Sequence, residues 1–298
     1  MSERRPVEWP TIGLILLCYS VWVLGTTWAS AVWLPLGIVV TTLSVTLHSS
    51  LQHEVLHGHP FRSRFLNEFL VFLPVGLVVP YGRFRDTHLT HHFDERLTDP
   101  YDDPESNFVD PAVWPQLSLI RRKVLEANNR LLGRLILGPA LSCISFMASD
   151  LRAIRGGDRA ILRDWLLHLA GLVLVVLWLS RADMPVWAYV LSAYMGFSIL
   201  QIRTFLEHRA HDLARGRSVI VEGGRVLPFL FLNNNLHAVH HAKPNLAWYR
   251  LPAHFRAHRE DYLRRNEGYL YSSYGEIFRR YFLRAKDPVP HPLRSGRR

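Results

Sequence analysis

No Asp, Glu, Lys or Arg occurs between Thr11 and Leu47. A helix that spans the hydrocarbon core of a bilayer needs about 20 apolar residues. The stretch is therefore long enough for two membrane crossings joined by a tight turn, and no soluble fold readily explains it. Trp28, Trp33 and Pro35 suit the turn, because Trp prefers the level of the lipid headgroups.

Similar apolar segments recur later in the chain. We predict transmembrane helices at residues 11–29, 33–51, 163–180 and 185–206. The segments 65–80 and 131–149 are apolar too, but each contains Gly, Pro and a charged residue. We expect both to lie at the interface or to enter the membrane without crossing it. The fold class predicted for residues 1–298 is a single, all-α integral membrane domain with a cytosolic cap formed by residues 53–130 and 207–298.

The formal net charge of +10 indicates an acidic partner, anionic lipid or nucleic acid. Basic residues flank the predicted helices at Arg4, Arg5 and residues 203–217, whereas the two predicted outside turns contain only Arg181. Cationic loops favour the cytoplasmic face. We therefore predict that both termini and the polar regions are cytoplasmic, and that no nucleic acid is bound.

Histidines cluster in three motifs. His53 and His57 are spaced i, i+4, which places both imidazoles on one face of a helix. The same residues match the HExxH signature of zinc proteases, which is a weak signal by itself. Two HxxHH motifs follow, and each places three imidazoles on one helix face; their histidines are His88, His91 and His92, and His237, His240 and His241.

A further histidine lies directly after the predicted helix 185–206. Either His208 or His211 could add a ligand, and we favour His208. The alternative is a histidine that only interacts with the dipole at a helix C-terminus. No ligand role is expected for the histidines outside the motifs, which are His48, His59, His168, His254, His258 and His291.

The number of clustered histidines predicts two metal ions, because one zinc takes at most four protein ligands. Imidazole binds Fe, Zn, Cu and Ni alike, so the ligand type does not choose the metal. The three motifs can build one centre only if they lie on the same side of the membrane. This requires that residues 65–80 and 131–149 do not cross.

Ligating imidazoles usually donate their second N–H to a carboxylate or carbonyl. The candidates for this role lie beside the motifs: Glu54, Asp86, Asp94 and Glu207. Asn233, Asn234 and Asn235 precede the third motif and could bind a metal-bound water. The alternative for each is a solvated or helix-capping residue.

The sequences HEVLHG, HLTHH and NNNLHAVHH resemble the three histidine boxes of the membrane fatty-acid desaturase superfamily. This superfamily also includes hydroxylases and carotenoid ketolases. The resemblance covers roughly residues 11–255, and HHAKPNLAWYRLP resembles the bacterial branch. It implies a transmembrane stem and a cytosolic cap with two irons, in a bacterial inner membrane.

The resemblance also implies the components of the site. O2 would be the co-substrate, with no catalytic residue apart from the metal centre and no other cofactor-binding residues. We find no fused cytochrome b5 domain, so we expect an external electron donor such as a ferredoxin, a rubredoxin or a cytochrome b5-type protein. The implied iron ligands are His53, His57, His88, His91, His92, His208, His237, His240 and His241.

The predicted function is the introduction of a double bond into the fatty-acyl chain of a lipid. A hydroxylase or ketolase of a lipid, alkane or carotenoid is the alternative on the same scaffold. A membrane zinc protease with Glu54 as its base would leave both HxxHH motifs unused. A metal transporter or haem carrier would place its ligands inside the membrane spans, whereas these motifs lie beyond them.

Overall fold

A computed structural model describes residues 7–294, apart from the side chain of Asp94. Arg4 and Arg5, which contribute to the predicted orientation, lie outside the described residues. The described chain is mainly helical, in agreement with the all-α prediction. Its only departure is a pair of short parallel strands, β1 (Ile220–Gly223) and β2 (Leu270–Ser273), in which Ile220 is paired with Leu270.

The helices of the first half of the chain are α1 (Trp9–Leu24), α2 (Ser30–Val32), α3 (Leu34–Leu56), α4 (Arg64–Leu70), α5 (Tyr81–His91), α6 (Leu119–Asn128) and α7 (Leu131–Arg155). Those of the second half are α8 (Arg159–Leu179), α9 (Val186–Thr204), α10 (Val226–Leu230), α11 (His237–Ala242), α12 (Leu251–Ala257), α13 (Arg259–Arg265) and α14 (Tyr274–Tyr281). A π-helical turn at Gly25–Ala29 joins α1 to α2.

Local signals explain several of the helix starts. Pro35 lies in the first turn of α3, where a missing N–H costs nothing. Asp158 caps α8 by accepting hydrogen bonds from the backbone N–H groups of Ala160 and Ile161, and Ser118 caps α6 in the same way.

The chain divides into two compact units. Unit 1 comprises residues 1–85 and 140–199, and unit 2 comprises residues 86–139 and 200–298. Because each unit draws on two separate stretches, neither is a contiguous domain of sequence.

Two helical hairpins form the centre of unit 1, namely α1–α3 and α8–α9. The backbone N–H of Met184, in the turn of the second hairpin, donates to the carbonyl of Thr26, in the turn of the first, at 2.9 Å. The indole of Trp178 donates to the hydroxyl of Thr26 at 3.0 Å. The two turns therefore lie at the same end of unit 1, and Gly196 of α9 allows the close approach of Val45 on α3.

The chain between α4 and α5 is irregular, and all of it except Phe72 is buried or half-buried. Four carbonyl oxygens in or next to it accept hydrogen bonds from side chains of the surrounding helices: Leu70 from Tyr19, Val71 from Gln52, Val75 from Tyr189 and Leu77 from His168. Non-helical backbone at membrane depth requires such partners. The segment forms no transmembrane helix, in keeping with the re-entrant path expected for residues 65–80.

Four of the described helices are long and apolar enough to cross a membrane: Trp9–Val32, Leu34–Leu56, Leu131–Arg155 and Arg159–Leu179. Three of them match predicted spans. The fourth, α7, contains the segment expected to lie at the interface, and it continues through Pro139 without a break. The predicted span at residues 185–206 corresponds to α9, whose polar end at Gln201 and Arg203 reduces its hydropathy.

The contacts of α7 within unit 1 are polar at their centre. Asp150, only 1% exposed, pairs with Arg83 at 2.9 Å and accepts a hydrogen bond from the indole of Trp165, near the start of α8. By contrast, α9 packs through apolar residues, with Tyr189 against Trp22 and Gly196 against Val45.

Unit 2 contains a separate apolar core around its two strands. Ile220, Val239, Leu251, Phe255 and Tyr262 belong to it and are buried. This core supports the short helix α11, which carries the third histidine motif.

Candidate metal centre

The second and third motifs occupy two helices of unit 2. His88 and His91 lie in the last turn of α5, and His92 follows directly. The third motif forms most of α11, a helix of six residues. So short a helix depends on tertiary contacts, and the N–H of Ala238 donates to the carbonyl of Val219 in the segment before β1.

Four histidines of unit 2 converge through their side-chain nitrogens. The Nε2 of His208 lies 2.8 Å from the Nε2 of His91 and 3.0 Å from that of His237. The Nε2 atoms of His237 and His241 are 3.1 Å apart. We call His91, His208, His237 and His241 the His208 group; one ligand atom from each lies within 4.8 Å of the others.

A second set of unit 2 histidines converges next to the first. The Nε2 of His92 lies 3.0 Å from that of His88 and 3.1 Å from that of His240. We call these three residues the His92 group. The rings of His92 and His241 are stacked with their centroids 4.3 Å apart, so the two groups are neighbours.

The first motif lies in unit 1, at the end of α3. His53 is in the last turn and His57 is the residue that caps the helix. Their ring centroids are 5.0 Å apart, and both residues are buried. The spacing i, i+4 therefore places these two imidazoles side by side, as the sequence predicts.

Carboxylates accept hydrogen bonds from the Nδ1 side of two of the candidate ligands. The Nδ1 of His88 is 2.9 Å from Oε1 of Glu105, and the Nδ1 of His91 is 2.7 Å from Oδ1 of Asp103. An ionised carboxylate only accepts hydrogen bonds, so both Nδ1 atoms carry the proton. No sequence motif marks Asp103 or Glu105, which belong to the acidic loop DERLTDPYDDPES.

The third motif has comparable support. The Nδ1 of His237 is 3.0 Å from Oδ1 of Asn234 and 3.6 Å from Oε1 of Glu207. Glu207 in turn pairs with Arg203 at 2.7 Å, and both side chains are buried. The Nδ1 of His208 is 3.3 Å from the hydroxyl of Ser218.

Three of the other proposed supporting residues contact groups outside the two histidine groups. Oε1 of Glu54 is 3.7 Å from Nε2 of His59 in unit 1. Asn233 donates to the carbonyl of Trp248, and Asn235 donates to that of Val221. Asp86 lies on α5, and the side chain of Asp94 is outside the described part of the chain.

The structure distinguishes His208 from His211. His208 lies at the centre of its group, whereas the Nδ1 of His211 accepts a hydrogen bond from the N–H of Leu213 in its own turn. Neither group contains any of the histidines for which no ligand role is expected. One of these, His59, pairs instead with Glu8, its Nδ1 lying 2.7 Å from a carboxylate oxygen.

The donor sets fit metal ions. With the Nδ1 proton donated to Asp103, Glu105 or Asn234, a neutral imidazole directs the lone pair of its Nε2 into the group. Converging lone pairs repel one another and are stabilised by a cation between them. The neighbouring Nε2 atoms are 2.8 to 3.1 Å apart. With metal–nitrogen bonds of about 2.1 Å, ligands at right angles lie about 3.0 Å apart and tetrahedral ligands about 3.4 Å.

The pKa values reflect the same environment. Burial alone would lower the pKa of His91, but Glu105 and Asp103 raise it to about 9. The metal-free imidazole of His91 is therefore protonated at physiological pH, and a bound metal would displace its Nε2 proton. Burial would raise the pKa of Glu105, yet His91 and His88 hold it well below its usual value. Burial, together with nearby histidine charges, lowers the pKa of His208 and His237 well below normal. These two imidazoles are therefore neutral at physiological pH, which is the form that binds metal.

A comparison with protein-family models completes these observations. The model described as fatty acid desaturase matches residues 26–273. The chain belongs to the fatty acid desaturase family. No curated protein matches it. All nine histidines proposed as ligands lie in the matched region, which ends immediately before α14.

Membership of the fatty acid desaturase family, together with four helices of membrane-spanning length, identifies an integral membrane protein. The family is one of oxidoreductases of the desaturase and hydroxylase type.

Proposed function

We propose that the protein is a di-iron oxidoreductase that uses O2 to introduce a double bond into the fatty-acyl chain of a membrane lipid. The observation that carries this proposal is the pair of neighbouring imidazole groups in unit 2. Seven nitrogen ligands exceed the requirement of any single zinc site. The family match supports the same chemistry.

The proposed ligands are the nine histidines of the sequence analysis. The His208 group supplies four of them and the His92 group three. His53 and His57 are proposed as the remaining two on the grounds of their spacing, their burial and their position in the family motif.

The chemistry supplied by a bound iron pair is the reductive activation of O2 for removal of hydrogen from an unactivated C–H bond. In a desaturation the acyl chain loses two hydrogen atoms, an external donor supplies two electrons, and two protons are taken up. O2 is thereby reduced to two molecules of water. We propose a ferredoxin, a rubredoxin or a cytochrome b5-type protein as the donor, and the net charge of +10 favours an acidic surface on it.

The protein's own side chains prepare this chemistry. Asp103 and Glu105 fix the tautomers of His91 and His88, so that both Nε2 atoms remain directed into the site. Burial of His88, His91 and His237 limits access of water to the reacting groups.

We further propose that the histidine motifs and both termini are cytoplasmic and that the membrane is the bacterial inner membrane. In this arrangement α8 and α9 cross as a hairpin, and α7 lies at the interface. The support is that the turn of α8–α9 shares one end of unit 1 with the turn of α1–α3, while α7 contacts the start of α5 through the Arg83–Asp150 pair.

The test is a lipid profile by mass spectrometry from a host that lacks such enzymes, with a ferredoxin and its reductase co-expressed. His240→Ala/His241→Ala removes one ligand from each group. His258→Ala is the matched control, because this exposed histidine lies outside both groups.

The expected result is an acyl species that has lost two hydrogen atoms, present with the unaltered chain and with His258→Ala but absent with the double variant. Gain of one oxygen atom instead would assign a hydroxylase, and conversion of a methylene to a carbonyl would assign a ketolase. Purified protein with one zinc and no iron would refute the di-iron proposal.

A further inference from the structure

Residues 282–294 follow α14 and lie beyond the region matched by the family model. They form no regular helix or strand, and we call them the C-terminal strap. The strap contacts two parts of unit 2 that bear on the metal centre. One is the segment that carries His208, and the other is the loop that carries Asp103 and Glu105.

His208 differs from the other eight proposed ligands in its backbone. Those eight lie on a helix or in the turn that directly follows one, whereas α9 ends at Thr204 and His208 occupies an isolated bridge with Ser218. Its position therefore depends on tertiary contacts. Three successive carbonyls are each held by a different group: Leu206 by the hydroxyl of Tyr269, Glu207 by the N–H of Val219, and His208 by the ammonium of Lys286.

Lys286 of the strap is built into unit 2. Its side chain is 8% exposed, and its Nζ lies 2.7 Å from the carbonyl of His208, 2.8 Å from Asp287 and 3.3 Å from the hydroxyl of Tyr269. The three N–H donors of the Lys286 ammonium are thus matched by three acceptors. The backbone N–H of Lys286 donates to the carbonyl of Asn129, and this hydrogen bond holds the strap against a neighbouring segment of unit 2.

The rest of the strap holds both ends of the acidic loop. At one end, the Nε2 of His291 lies 3.1 Å from the hydroxyl of Thr98, and Arg294 pairs with Asp99. At the other end, Val109 donates to the carbonyl of Val289 and accepts from the N–H of His291, both at 2.9 Å.

Asp103 and Glu105 lie between these two anchored ends. Asp103 is itself bonded to the N–H groups of Thr98 and Glu105 at 2.8 and 2.9 Å. The strap therefore fixes the loop whose carboxylates orient His91 and His88.

We propose that the C-terminal strap is a positioning element of the metal centre. Lys286 sets the position of His208, and residues 289–294 set that of Asp103 and Glu105. This inference rests on the proposed function, because it assumes that the histidine groups bind metal. Outer partners of ligands typically change metal affinity by about 10- to 100-fold, so an effect on metal binding is the expected sign of this role.

The test is titration of the purified full-length chain with Co²⁺, whose visible absorption reports ligand geometry. We expect two ions per unaltered chain. In Lys286→Met, one of the two should bind at least about tenfold more weakly and show an altered spectrum, because only the His208 group loses its anchor. Lys286→Arg should restore binding, and Lys123→Met is the matched control, since Lys123 is exposed and pairs with Glu126.

A second variant examines the loop contacts. His291→Ala/Arg294→Ala should weaken both ions, because Asp103 and Glu105 each orient a histidine of a different group. Lys286→Met/Asp287→Asn distinguishes loss of the anchor from loss of charge balance, and it should match Lys286→Met in its spectrum.

Normal affinity and spectrum for both ions in Lys286→Met and in His291→Ala/Arg294→Ala would overturn the inference. If Lys286→Met does not fold, the His291 and Arg294 variant decides alone. Absence of Co²⁺ binding by the unaltered chain would instead refute the proposed metal centre, and the inference with it.

Discussion

The Nε2 atoms of His91 and His208 lie 2.8 Å apart, although 117 positions separate the two residues in the sequence. One is at the end of α5 and the other follows α9. No local pattern connects them, and their meeting depends on the packing of unit 2.

Replacement of His208 should reduce metal binding, whereas replacement of the nearby His211 should not. We expect His208→Ala to bind one metal ion in place of two, because the central nitrogen of its group is removed. The desaturation product should fall by at least about 99%, which is on the order of the 100-fold effect seen for the supporting contacts of a metal ligand. His211→Ala should retain both ions and near-normal activity, since the His211 side chain accepts a hydrogen bond from Leu213 and belongs to neither histidine group. Metal analysis of both purified variants is the measurement, and equal metal content in the two would contradict the assignment of His208.

The carboxylate of Glu105 should strengthen metal binding by the His92 group. Glu105→Gln keeps the size of the side chain but weakens the bond to Nδ1 of His88, so we expect about tenfold weaker binding of one metal ion. The control is Glu126→Gln, which changes an exposed glutamate paired with Lys123. Competition with a calibrated chelator measures the affinities, and identical values for the two variants would exclude an orienting role.

The buried pair of Arg203 and Glu207 should be strongly coupled. Arg203→Met leaves the Glu207 carboxylate buried without its cation and should lower the free energy of unfolding by about 3 kcal/mol. Arg203→Met/Glu207→Gln should recover most of that loss, because no uncompensated charge remains. Equilibrium unfolding in mixed micelles, analysed as a double-mutant cycle, measures the coupling. Simple additivity of the two single variants would show that the pair is not coupled.

The path of α7 can be decided by labelling of single cysteines, after Cys18 and Cys143 are replaced by Ser. Cysteines at Asp102 and Asp212 should react from the same side of the membrane, and one at Asp183 from the opposite side, because Asp183 lies in the turn of α8–α9.

A cysteine at Arg155, at the end of α7, distinguishes the two paths. Labelling from the side of Asp102 is expected if α7 lies at the interface. Labelling from the side opposite to Asp102 would show that α7 crosses. The helix α8 would then return Asp183 to the side of Asp102, and α9 could not cross if the second and third motifs are to share a face.

The sequence predicts which histidines within a motif lie next to one another. Helical spacing alone brings His53 beside His57 and gathers each HxxHH motif on one face. These relationships lie within one turn of a helix, so they do not require knowledge of the fold.

Asp103 and Glu105 show where sequence reasoning stops. A carboxylate in an acidic loop has the same local pattern whether it is solvated or hydrogen-bonded to a buried imidazole. Only the tertiary path of the loop, fixed at Thr98 and Val109, determines which occurs. The contact of Lys286 with His208 is harder still to predict, because 78 positions separate the two residues.

The membrane helices show a different limit. An apolar segment with Pro139 and Arg134 has much the same composition whether it crosses the bilayer or lies along it. The structure shows α7 as one helix of 25 residues, long enough for either path. Composition therefore predicts that the segment is in the membrane, but it does not predict whether the segment crosses the bilayer or lies along it.

The anchor of His208 has a consequence for biosynthesis. The ribosome makes His208 long before Lys286, which holds its carbonyl oxygen. All the membrane helices and every histidine of the three motifs are therefore synthesised while this contact cannot yet exist. Under the proposed role of Lys286, the His208 group should consequently reach its full metal affinity only after translation has passed residue 286.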